Sequence, residues 1–104
     1  MEDNVIKDGN RLIANFLNPD YAGEFEYALQ WHRNWEWLMP LVEKIEKIDT
    51  GYEISIIDKE CEIGTMGYQY TCVARGKEDT KILAVWRACV EFIKWYNDEQ
   101  KKIL

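Results

Sequence analysis

TKILAVWRACVEFIKWYN, residues 80–97, decides the architecture. Wound as a helix at about 100° per residue, it places Arg87, Glu91, Lys94 and Asp98 in one narrow sector. Most of the rest is apolar: Ile82, Leu83, Val85, Trp86, Cys89, Val90, Phe92, Ile93, Trp95 and Tyr96, with Ala84 and Ala88 flanking the charged strip. A helix that lies on a protein surface shows an apolar stripe only somewhat wider than about 100°. This one needs cover from more than a sheet. Either other helices of the same chain sandwich it, or it contributes a face to an oligomer. Asp79 or Thr80 can cap its start, where acidic residues suit the helix dipole.

Immediately upstream the period changes from helical to alternating. Tyr52, Ile54 and Ile56 share one face of a strand over residues 52–57, and Cys61 and Ile63 continue the alternation in a second strand. Gly64 to Gly67 reads as a turn, followed by a third strand through Tyr68, Tyr70, Cys72 and Ala74 that Arg75-Gly76 closes. Connections this short imply an antiparallel meander.

Further upstream lie two more helices. One opens near Asn34 and carries Leu38, Leu41, Val42, Ile45 and Ile48 as its stripe. Pro40 either kinks its first turn or marks the true start. In its angular projection Trp35 aligns with the core residues Leu38 and Val42, and Trp37 points away from Trp35. The other helix starts after Asp3 or Asn4, carries Val5, Ile6, Gly9, Leu12, Ile13, Phe16 and Leu17, and stops at Asn18-Pro19-Asp20. Gly9 inside it either frays the first turns or permits close packing. Between the two helices, Phe25, Tyr27, Leu29 and Trp31 alternate with Glu24, Glu26, Ala28 and Gln30, which is strand periodicity, with a helix through Tyr27 to His32 as the competing reading. The expected fold is a single α+β domain spanning residues 1–104. Its three-stranded antiparallel sheet, four-stranded if Glu24–Trp31 joins it, packs against three helices in the order α-(β)-α-β-β-β-α.

Composition narrows the function classes. A net charge of −6 disfavours a sequence-independent nucleic-acid binder, which needs clustered Lys and Arg. The polar, acidic start MEDNVIKDGN lacks the basic and apolar regions of a signal peptide, so a cytoplasmic location is expected. No stretch reaches the roughly 20 apolar residues of a membrane span. Cys61, Cys72 and Cys89 are widely spaced and contain no CxxC pair, so buried, reduced thiols are expected in place of a zinc or redox site.

His32 is the single histidine and hence the first candidate for acid–base chemistry, yet no serine or cysteine motif accompanies it. Glu60 with Glu62, and Glu24 with Glu26, place paired carboxylates on strand faces, a pattern that solubility alone also explains. No glycine-rich phosphate loop occurs. No catalytic, cofactor-binding or metal-binding residue is therefore assigned, and no cofactor. Trp31, Trp37 and Trp95 stand as candidate interface residues, with Trp37 the best placed to meet a partner.

Three blocks together, NRLIANF (10–16), WEWLMPLVEKIE (35–46) and TKILAVWRACVEFIKWYN (80–97), resemble small proteins common in Bacteroidetes genomes and their phages or mobile elements. These in turn resemble the phage ABA sandwich type of domain. The resemblance implies a sheet between helical layers and a phage or mobile-element origin, and it implies no activity. The resulting expectation is a non-enzymatic accessory protein that binds an unidentified protein or itself, as a homodimer. Alternatives are an acidic nucleic-acid mimic or nuclease inhibitor, and a small enzyme using His32.

Overall fold

A computed structural model of the chain describes residues 1–18, 28–49, 51–65 and 67–103. The described elements are α1 (Asp3–Leu17), α2 (Trp35–Glu46), β1 (Tyr52–Ile57), β2 (Glu60–Thr65), β3 (Thr71–Lys77) and α3 (Lys81–Ile103). The sheet is antiparallel in the order β1-β2-β3, so the fold is α+β as expected. Glu24–Tyr27 of the alternating segment lies outside the described residues. Ala28–Trp31 is not a strand: it leads into a turn at residues 31–33 ahead of α2.

The helix α3 is the middle layer. It packs on β3 and β2 with one side and on α1 and α2 with the other. Ala84, Val85, Trp86, Ala88, Cys89, Val90, Phe92 and Ile93 are all buried in consequence. Its wide apolar surface is thus covered within the chain, the first of the two arrangements its composition allows. Thr80 caps it, Oγ1 accepting from Leu83 N at 3.3 Å. The helix runs past Asn97 to Ile103, where Lys101 and Lys102 suit the negative end of its dipole. Since α1 packs on α3, and α2 on α3 and the β1 flank, the described helices all lie on one face of the sheet. The resemblance implies helices on both faces. The opposite face carries Glu53, Ile57, Glu60, Cys72, Arg75 and Lys77, all exposed.

Two glycines make the layers close. A Cβ on Gly76 would overlap the backbone of Ala84 and Ala88, so β3 can lie against α3 only through glycine. Gly76 therefore sits inside β3, whereas the sequence reading ends the strand there. On the other side of α3, the indole of Trp86 fills the space a Cβ on Gly9 would need, so α1 seats on α3 without fraying.

Three local expectations are corrected. Residue Glu2, which makes no side-chain cap bond, occupies the N-cap of α1, in place of Asp3 or Asn4. Pro40 lies within α2, whose Asn34 cap accepts from Glu36 N at 2.9 Å. Pro40 and Glu36 are both exposed, so the Glu36 carbonyl that Pro40 leaves without its helix donor can be hydrated. In β3, Ile63 pairs Ala74 but Gly64 pairs Cys72, so Val73 is an extra residue, a β-bulge. The bulge carries Cys72 to the outer face, and this is why it is exposed while Cys61 and Cys89 are buried.

Candidate functional site

His32 belongs to a buried polar cluster that sequence reading did not single out. Asn10 is 2% exposed at the centre of α1, on the face that also bears Ile6, Ile13 and Leu17. Its Oδ1 accepts from the indole N–H of Trp86 at 2.9 Å. Its Nδ2 donates to the Leu29 carbonyl at 3.3 Å and meets Nδ1 of His32 at 3.0 Å. An indole N–H only donates, so the amide orientation is set, and Nδ1 of His32 must accept. The ring proton therefore sits on Nε2. Burial first, and the Arg33 charge second, lower the His32 pKa below 6.5 and keep the ring neutral.

A cavity of about 180 Å³ adjoins this cluster, lined by Asp3, Ile6, Lys7, Asn10, Leu29, His32 and Arg33. No serine or cysteine lies among them. In this tautomer the only imidazole lone pair is already engaged by Asn10, so the ring can donate a hydrogen bond but has no free base. A polar residue within an otherwise apolar helix face was the available signal for Asn10, and a buried tryptophan in need of a partner was the second.

The three candidate interface tryptophans occupy different environments. Trp31 is buried at 2% exposure and presents no face to solvent. Trp37 is half-buried, edge-on to Trp31 at 5.1 Å between centroids, and Trp35 is the more exposed of the pair at 39%. The expected assignment of these two is therefore reversed. Both flank the stripe of α2 on opposite sides, and the turn that brings Trp31 against Trp37 decides which is covered. Trp95 is half-buried within an aromatic group joining α3 to β1, with Tyr52 at 6.0 Å and Phe92 at 5.8 Å.

On the outer face, cross-strand pairs neutralise the carboxylates. Arg75 meets Glu62 at 2.6 Å and Lys77 meets Glu60 at 3.4 Å. Among the described residues, no group of three His, Cys, Asp or Glu side chains is placed to hold a metal ion. No helix among them is long and apolar enough to cross a membrane.

The two edges of the sheet differ in kind. The outer edge of β3 has its bulge at Val73 and the charged side chains of Arg75 and Lys77, features that discourage further pairing. The other edge, β1, reads Tyr-Glu-Ile-Ser-Ile-Ile with a regular register, no proline and one charge. Its hairpin to β2 closes with the two residues Asp58 and Lys59, so Ile57 and Glu60 form a hydrogen-bonded pair. Alternation then turns the N–H and C=O of Tyr52, Ile54 and Ile56 outward. Among the described residues, no backbone bond uses these outward groups. Ile56 and Ile57 are 37% and 74% exposed beside them. Comparison with known proteins returns no matching family, no similar curated protein and no similar solved structure, so the site stands on its own geometry.

Proposed function

We propose that this chain is a non-enzymatic interaction protein that binds through strand addition at β1. The observation that carries the reading is the contrast between the two edges: β3 is bulged and charged, while β1 is regular, largely apolar and without a second backbone partner among the described residues. Added strands gain affinity from main-chain bonds and specificity from alternate side-chain contacts. The engaged lone pair of His32 favours this over a small enzyme. The neutralised carboxylates of Glu60 and Glu62 favour it over a nucleic-acid mimic, which needs a continuous acidic stripe. The resemblance of the three blocks to phage-type proteins adds a phage or mobile-element origin to the proposal.

Capture from a host extract, followed by mass spectrometry, tests it with two baits. Ile56→Pro deletes an outward N–H while leaving the bonds between β1 and β2 in place. A protein retained by the wild type and lost by the folded Ile56→Pro bait is the expected result. Equal retention by both baits would count against the β1 edge.

A further inference from the structure

We infer that the strand added at β1 is the β1 of a second copy, paired antiparallel about a two-fold axis through Ile54 to give a continuous six-stranded sheet. This rests on the strand-addition reading of the same edge. An isologous contact requires the strand to be complementary to itself. Side chains opposite each other across an antiparallel pair must share a face, and the bonded positions must be those whose N–H and C=O point outward, here Tyr52, Ile54 and Ile56.

Centring the pair on Ile54 satisfies both conditions over the whole strand. Ile54 then faces Ile54 of the other copy, and Tyr52 and Ile56 face each other twice, so every outward group from Tyr52 to Ile56 is bonded. On the outer face Glu53 lies opposite Ser55, and the single charge of the strand never meets its own copy. A centre at Ser55 instead brings Tyr52 against Asp58, whose φ of 50° takes the chain out of the strand, and loses a third of the bonds. Apolar surface at Ile56 leaves water in the favoured register. With a strand of only six residues as its core, the interface is small, so the dimer forms reversibly and in proportion to concentration.

Sedimentation from micromolar to near-millimolar protein tests the inference, with variants at the half-buried Ser55 of the outer face. The register places Ser55→Lys beside Glu53 of the other copy twice, tightening association about fivefold. Ser55→Glu sets like charges there twice and weakens it about fivefold, from the usual strength of cross-strand charge pairs. Asp8→Asn makes the same charge change as Ser55→Lys, but on α1, across α3 from the sheet, and leaves the dimer constant unchanged within twofold. Wild-type monomer at every concentration overturns the inference, and so does weaker association of Ser55→Lys, which would set Lys against Lys at a Ser55 centre. If the monomer still captures a protein that Ile56→Pro loses, self-pairing alone is wrong. If capture is also indifferent to Ile56→Pro, the β1 edge itself is wrong.

Discussion

Trp86 and Asn10 are 76 positions apart in sequence and 2.9 Å apart in space, indole Nε1–H to amide Oδ1. The bond joins the middle of the last helix to the middle of the first. Because the same amide also reaches Leu29 and His32, one side chain ties α1, α3 and the turn ahead of α2 together. The side chain is 2% exposed, where a polar group costs little only while every bond is made.

Asn10→Ala leaves the Trp86 N–H and the Leu29 carbonyl without their partner at once. Such orphaned groups cost about 1–3 kcal/mol each, partly relieved by relaxation, so a loss of about 2–4 kcal/mol is expected. Urea denaturation followed by tryptophan fluorescence measures it. Trp86→Phe removes the same donor from the other side, leaving Asn10 Oδ1 without its partner and a void against Gly9, so a loss of similar size is expected. An Asn10→Ala protein as stable as the wild type would show that the cluster contributes nothing.

The neutral state of His32 gives stability a pH dependence of defined sign. Its folded pKa lies below 6.5, whereas the unfolded chain takes up a proton near that value. Between the two, the unfolded state holds more protons, so stability rises with pH in that window and this contribution is complete above it. The urea midpoint should fall as the pH drops below about 6.5, and the fall should be shallower in His32→Gln, whose amide oxygen can still accept from Asn10. Equal slopes in the two proteins would mean that His32 is not held neutral.

Much of this fold was legible in the chain. The boundaries of β1 follow from alternation alone, and the wide apolar surface of α3 announced a helix with cover on two sides. What escaped the sequence reading depends on three-dimensional neighbours. Cys72 alternates with Ala74 on paper, but the extra residue Val73 in the ladder inverts its face, and no local signal marks a bulge. Trp35 and Trp37 both flank the stripe of α2, and only the position of Trp31 decides between them. The place of β1 at the border of the described sheet was out of reach for another reason. A strand's sequence does not say whether it lies in the middle of a sheet or at its border.

Glycine substitutions separate propensity from packing. In a free helix Gly9→Ala would gain about 1 kcal/mol. Here the new methyl overlaps the indole of Trp86, which its bond to Asn10 holds in place, so a net loss of about 1–3 kcal/mol is expected. Gly76→Ala should be worse, because the obstacle is the backbone of Ala84 and Ala88 and cannot rotate away. Gly67→Ala meets nothing within 4 Å and should stay within about 0.5 kcal/mol of the wild type. Thermal melts should place Gly67→Ala highest, Gly9→Ala below it and Gly76→Ala lowest.

The thiols report the bulge directly. Cys61 and Cys89 lie in the core, where burial pushes the Cys61 pKa up to about 12 and raises that of Cys89 as well. A thiol reacts as its thiolate, so neither should react in the native state near pH 8. Cys72 is free and exposed beside Arg75 on the outer face. A disulfide reagent such as DTNB should therefore titrate one thiol per native chain and three after denaturation. Cys72→Ser should abolish the fast phase and leave the two slow ones, whose rate then follows global opening of the fold. Were Cys72 aligned with Ala74, as simple alternation would have it, the native chain would yield no fast thiol at all. The count of the first phase therefore tests whether the extra residue sits at Val73.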